Sequence, residues 1–412
     1  MYSIRSYASI DHFCPLINKN INDKDKILLF VHNPVFNIFS HLIFKKINNK
    51  NIKIIEIRNF NNFFIKFLIY FKNYFDNLFI NLKLANILIF KASNILQFLI
   101  NRLQKDKKQL FLKKVFPTIC ELLSNEYNKR YLYIDSDNSD FIKFAHQYLK
   151  KLDFISISYP HGINICSNEL RTINSLFYEK YLIDSGKSFS FCDNIIFHNN
   201  IETSKITNKN KKDYPFDKYK YVRSERFSFE WLDYSIKNVS VDLLDVDKSK
   251  INVCILFPKL LNGIFVDELF RCVKILNDFE IFNVIIKLPF KHIESVIFKL
   301  KKINFKNVYF DNINPTTNII NISDTIIFAD ANVVIDAFIL NKKVVALDYI
   351  YMNSLYFDNS NEINLIRNRD EFYNLFHPTN YRNIKNIGKN SKTLNEILPF
   401  QNIYLKDLFN EK

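Results

Sequence analysis

The sequence predicts an α/β protein of two doubly wound domains, each a parallel sheet with helices on both faces. Three observations predict it. The 412 residues exceed one ordinary core and suit two domains of roughly 150–200 residues. Apolar residues make up 48%, including 42 Phe and 22 Tyr, which supplies two buried cores and argues against disorder. Short continuous apolar runs alternate with amphipathic stretches in both halves, the pattern of strands buried on both faces and joined by helices.

In the first half, residues 26–32 (Lys-Ile-Leu-Leu-Phe-Val-His) follow a charged segment and read as a buried strand. Residues 52–57 give a second strand, and a long helical insertion follows over about 60–121. Residues 130–134 and 154–159 read as strands on either side of an amphipathic helix at 141–151, and 194–197 as another strand. The chain is then polar and Lys-rich until a short strand at 220–222, with an interdomain linker expected near 235–250. The first domain is therefore expected over 1–240.

The second half alternates more cleanly. Strands are expected at 251–257, 282–287, 308–310, 325–328 and 343–347, and helices at 266–278, 294–303, 317–323 and 333–340. This gives a second domain over 251–370, and the tail, 371–412, reads as helices that pack back on the first domain. In doubly wound sheets ligands bind at the carboxyl ends of the strands, where the strand order switches. Two such domains would place a cleft between their strand ends.

The formal net charge of +15 fits either a solvated Lys-rich surface or affinity for phosphorylated substrates and anionic lipid. No compact Arg/Lys patch or nucleic-acid signature is present, so nucleic acid is not an expected partner. Six scattered cysteines without Cys-x-x-Cys or His spacing read as buried thiols of a cytoplasmic protein, and no metal site is expected. The first residues lack an apolar core of signal-peptide length. Residues 60–103 are interrupted by Lys66, Lys72, Asp76, Lys83 and Lys91, which leaves amphipathic helices rather than a span. Their apolar faces suit core packing or peripheral contact with an anionic membrane.

Chemistry-bearing residues gather at predicted strand ends. Glycine occurs only four times, and one follows the 154–159 strand in Pro160-His161-Gly162, an open turn carrying an imidazole. Asp135-Ser136-Asp137 follows the strand before it; such carboxylates serve as an acid/base, as metal ligands or as a helix cap. Residues 324–348 read strand, polar turn (Asp330-Ala331-Asn332), helix with Asp336, then strand. A helix start offers unpaired amides that suit a phosphate, although an ordinary capped turn has the same pattern. Lys259 and Asn262 follow the first strand of the second half, Lys287 ends the next, and Arg226 lies in Arg223-Ser-Glu-Arg-Phe-Ser-Phe-Glu-Trp231.

These pieces together resemble the GT-B glycosyltransferases of bacterial capsule and surface-polysaccharide synthesis, and the related CDP-glycerol glycerophosphotransferases. The 324–348 segment resembles the family's Ser-rich turn, Glu-Ala and Gly-Lys-Pro, here Asp330-Ala331-Asn332, Asp336-Ala337 and Asn341-Lys342-Lys343. Val284-Ile-Ile-Lys287-Leu288-Pro289 resembles a strand ending in Lys-x-His-Pro, with Leu288 for His. The Arg223–Trp231 block resembles Gly-Ser-x-Arg-Phe/Tyr-x-x-x-Trp, with Arg223 for Gly.

The resemblance implies two Rossmann-like domains facing a cleft, and a metal-independent transferase with no cofactor and a nucleotide-sugar donor. It implies a glycan or lipid-linked glycan acceptor, His161 as the base with Asp135 or Asp137 as alternatives, and donor contacts from Lys259, Asn262, Lys287, Arg226, Asn332 and Asp336. A polyol-phosphate transferase and a non-catalytic glycan-binding relative share these features.

Overall fold

The structure, a computed structural model, describes residues 1–4, 7–22, 27–31, 38, 41–47, 52–56, 117, 130–135, 140–159, 191–199, 216–239, 246–258, 265–288, 305–329, 331–350, 362–384, 392–405 and 407. The expected helical insertion over 60–121 and the helix over 294–303 lie outside these residues. Among those described, two parallel sheets form, each in its own compact unit.

The first sheet contains β1 (Tyr2–Ile4), β2 (Ile27–Val31), β3 (Ile52–Glu56), β4 (Tyr131–Asp135), β5 (Ile155–Tyr159), β6 (Asn194–Phe197) and β7 (Tyr219–Tyr221). Their order is β3-β2-β1-β4-β5-β6-β7, and every pairing is parallel. The order reverses between β1 and β4, so the short β1 is an interior strand at the switch point. Stacking of Tyr2 on Tyr133 at 4.7 Å and the bond from Tyr133 N–H to the Met1 carbonyl hold it there. Three helices of this unit are described: α1 (Tyr7–Asn22), α2 (Leu42–Lys46) and α3 (Asp140–Lys150). His41 caps α2, its Nδ1 accepting the Phe44 N–H at 3.2 Å.

The second sheet contains β8 (Ile251–Leu256), β9 (Phe282–Lys287), β10 (Val308–Asp311), β11 (Thr325–Phe328), β12 (Lys343–Leu347) and β13 (Asn364–Ile366). The order β10-β9-β8-β11-β12-β13, again all parallel, is the doubly wound order with its switch point between β8 and β11. All six residues of β9 are buried, as a strand covered on both faces requires.

Helix α4 (Phe229–Asn238) starts at Ser228, whose hydroxyl accepts the Trp231 N–H, and α5 (Val266–Asp278) buries Leu269, Cys272, Val273 and Leu276 along one stripe. Two short helices, α6 (Thr316–Ile322) and α7 (Val334–Ile339), precede β11 and β12. Helix α7 ends in a Schellman turn: Lys342 N–H bonds the Ala337 carbonyl at 2.9 Å and Asn341 N–H the Phe338 carbonyl at 3.1 Å. The turn holds Asn341 at φ 56°, the left-handed region that glycine favours and asparagine tolerates. This is the position at which the resembling motif carries Gly.

Helices α8 (Arg369–Phe376) and α9 (Lys392–Ile397) complete the second unit. The tail, expected on the first domain, instead contributes Phe372, Phe376, Tyr381, Ile384, Ile397 and Leu398 to the core that contains β8–β12. The second unit also begins earlier than the expected linker. Residues from Val222 belong to it, and α4 fills part of 235–250.

Candidate functional site

Parallel order brings the carboxyl ends of β8, β9, β10 and β11 to one edge of the second sheet. The ladder continues past the strands there, with Phe257 N–H on the Lys287 carbonyl at 3.0 Å and Leu288 N–H on the Asp311 carbonyl at 2.9 Å. Of the residues singled out from the sequence, Lys287 lies at this edge, Asn332 and Asp336 lie in the turn and helix that follow β11, and Arg226, ahead of β8 in the chain, reaches Asp336. Lys259 and Asn262, which directly follow β8, and Asp330 lie outside the described residues.

Lys287 is buried beside Asp311, its register partner on β10. Its ammonium donates to Asp311 Oδ2 at 2.6 Å and to the Asn314 carbonyl at 2.7 Å, and Asn314 Nδ2 donates to Asp311 Oδ1 at 2.6 Å. A buried ammonium requires such a partner, because desolvation without one costs several kcal/mol. Leu288, at the place of the motif's His, is part of the apolar core. Sequence reasoning passed over Asp311 and Asn314. The signal was present, since Asp311 closes the strand beside the one that Lys287 closes.

Arg226 makes a two-point ion pair with Asp336 on α7, with Nη1 on Oδ1 and Nη2 on Oδ2 both at 3.2 Å. Thr317 on α6 adds a hydrogen bond to Asp336 Oδ2 at 2.5 Å. Asp336 is 0% exposed and Arg226 5%. Asp336 is one of the expected donor contacts. It is wholly enclosed because a carboxylate in the first turn of α7 points at the Arg226 block, and its oxygens hold that guanidinium. Asn332 is half-buried in the turn before α7, its carbonyl accepting the Ile335 N–H at 3.2 Å.

Both cations therefore carry a carboxylate partner. Each pair is nearly neutral as a unit and acts by fixing geometry: Lys287–Asp311 locks β9 to β10, and Arg226–Asp336 locks the Arg223–Trp231 block to α7. Asn318 and Ser235 extend the second brace, with Asn318 Nδ2 on the Val239 carbonyl at 2.7 Å. At the opposite, amino end of the sheet, Asn252 N–H bonds Asp324 Oδ2 at 2.9 Å and Asn283 Nδ2 bonds Asn252 Oδ1 at 2.8 Å. That end is closed by polar pairs between neighbouring strands and the segments that lead into them.

In the first unit, Asp135 is buried at the carboxyl end of β4, the strand beside the switch point, and its register partner on β5 is Tyr159. His161, two residues beyond Tyr159, lies outside the described residues, as does Asp137. His198, which follows β6 and belongs to the second unit, is wholly buried with Nδ1 3.1 Å from the Val222 carbonyl, and burial pushes its pKa down to about 4. It is a neutral structural imidazole. Burial pushes the thiols of Cys192, Cys254 and Cys272 up to about 12, which makes them inert packing groups. No described helix is long and apolar enough to cross a membrane, and the amphipathic 60–103 segment is outside the described residues.

No protein-family model and no curated protein sequence matches the chain. Solved structures do match its fold. S. aureus MnaA in a co-structure with UDP aligns over 98% of this chain and 92% of that one, at 11% identity and a TM-score of 0.55. The UDP-GlcNAc 2-epimerase from Neisseria meningitidis, bound to UDP-GlcNAc, aligns over 96% of both chains at 11% identity and a TM-score of 0.51. At such identity the likeness concerns architecture, and with the two parallel sheets it gives the fold: two Rossmann-like α/β units of the GT-B type.

Proposed function

We propose that the chain is a GT-B glycosyltransferase that binds a nucleotide-activated sugar at the switch point of its second sheet. It would transfer the sugar to a hydroxyl of a surface or capsular glycan. The observation that carries the reading is the set of braced strand ends at that switch point, where β8, β9 and β11 converge with α7 behind them. Solved proteins of the same fold hold UDP and UDP-GlcNAc, which supports a nucleotide-sugar as the ligand.

In the proposed reaction the acceptor oxygen forms a bond to the anomeric carbon as the bond from that carbon to the nucleotide's phosphate oxygen breaks. The acceptor proton passes to a base on the first unit, His161 or one of Asp135 and Asp137. The departing nucleotide takes the electron pair. Its growing negative charge needs donors that do not reorganise. Lys259, Asn262 and the turn at Asn332 are the proposed contacts, with Lys287 and Arg226 held ready by Asp311 and Asp336. A polyol-phosphate donor would suit the same arrangement, and a non-catalytic relative would bind without turnover.

The fold likeness to epimerases favours one second reading, inversion at sugar C2 of a UDP-sugar without any acceptor. Incubation with UDP-, CDP- and CMP-activated donors separates these readings. Nucleotide release that depends on a glycan acceptor supports the transferase. An altered sugar in intact UDP-sugar supports the epimerase, and binding of no nucleotide contradicts both.

A further inference from the structure

Arg223 and Arg226 lie three residues apart in one turn, and the two are gripped from different sides. Arg226 is held by Asp336 on α7. Arg223 is held by the end of the chain: its N–H donates to the Ile403 carbonyl at 2.9 Å, and its guanidinium lies 4.6 Å from the centre of the Tyr404 ring. Glu225 and Glu230 take Nη2 of the same guanidinium at 3.0 and 3.3 Å. Arg223 is buried, so a cation over the Tyr404 face is worth more than it would be in water.

The C-terminal segment touches the other holder as well. Its helix α9 packs against α7 through a core that includes the fully buried Ile397, and Leu405, beyond Tyr404, is buried again. Residues 392–405 thus embrace both the helix that carries Asp336 and the turn that carries Arg226. Ser228 stiffens that turn, its hydroxyl donating to the Glu225 carbonyl at 3.0 Å while accepting the Trp231 N–H.

We propose that Ile403 and Tyr404 form a clasp that closes on Arg223 and thereby sets the position of Arg226. Arg223 and Tyr404 are then positioning residues for the switch-point site. The clasp rests on the contacts of Arg223 alone, whereas its consequence for a ligand rests on the nucleotide reading above. A glycine at position 223, as in the resembling motif, would offer the tail only a backbone contact.

Hydrogen exchange of the full chain tests the clasp. In Tyr404→Ala, amides of residues 222–228 should exchange about fivefold or more faster, while α5 and β9 keep wild-type rates; Tyr404→Phe, which keeps the ring, should restore protection. Arg223→Lys, which keeps the charge but loses the planar fork, should also raise exchange at 222–228. Wild-type rates at 222–228 in both Tyr404→Ala and Arg223→Lys would overturn the clasp. Titration with UDP then tests its consequence: binding several-fold weaker in Tyr404→Ala than in wild type is expected, and equal affinity would overturn the positioning of Arg226. If the wild type binds no UDP, the nucleotide reading is what is damaged, and exchange still decides the clasp.

Discussion

Arg226 and Asp336, 110 residues apart in the chain, meet as a buried two-point ion pair at 3.2 Å on each arm. The pair joins the first turn of the second unit to helix α7 beside the sheet's switch point. Its energetic character follows from burial: each charge is tolerable because the other is there.

Removing one partner should therefore cost more than removing both. Asp336→Ala leaves an uncompensated buried guanidinium and should destabilise the second unit by about 3–5 kcal/mol. The double variant Arg226→Met/Asp336→Leu should recover most of that loss. Urea denaturation of Arg226→Met, Asp336→Leu and the double variant gives the cycle, and additive losses would contradict the pairing.

Lys287 and Asp311 should separate stability from binding. Lys287→Met strands a buried carboxylate and should cost about 3–5 kcal/mol, whereas Lys287→Met/Asp311→Leu should fold nearly as well as wild type. If Lys287 serves a bound donor, nucleotide affinity should stay low in the double variant. Calorimetric titration of that variant with UDP checks this.

The Schellman turn at the end of α7 places Asn341 at φ 56°. Asn341→Gly should be neutral or stabilise by up to about 0.5–1 kcal/mol, and Asn341→Val should destabilise by about 1–2 kcal/mol, because any Cβ crowds the following carbonyl there and one branched at Cβ crowds it most. Thermal unfolding of the two variants reads the sign directly.

His198 predicts a pH dependence. Its pKa is about 4 in the fold against an ordinary value of 6.5, so the unfolded chain binds the extra proton first as pH falls. The stability it contributes is present above about 6.5 and is lost toward pH 4, at a slope of at most about 1.4 kcal/mol per pH unit. His198→Gln should flatten that part of the stability profile. An unchanged slope between pH 6.5 and 4 would show that the buried imidazole does not control it.

Most of the second unit was legible in the sequence because its strands are continuous apolar runs. The expected spans for β9, β11, β12 and α5 coincide with those observed. Strand β1 was not legible: Tyr-Ser-Ile is too short to show a pattern, and only pairing with β2 and β4 makes it an interior strand. The tail misled for a related reason, since helices α8 and α9 carry apolar faces that do not encode which core receives them. At the site, residue types at strand ends pointed to Lys287 and Arg226, but their partners Asp311, Asn314 and Thr317 come from other elements and emerge only from register and helix placement. Asp336 was visible as a polar residue in an apolar helix, and its direction was not.

The most direct measurement is hydrogen exchange of the full chain with and without saturating UDP. Binding at the switch point of the second sheet predicts protection at the carboxyl ends of β8, β9 and β11 and in the turn before α7, with none at the amino ends around Asn252, Asp324 and Lys342. Protection confined to the amino ends or to the first unit, or no binding of UDP, CDP or CMP at all, would contradict the account.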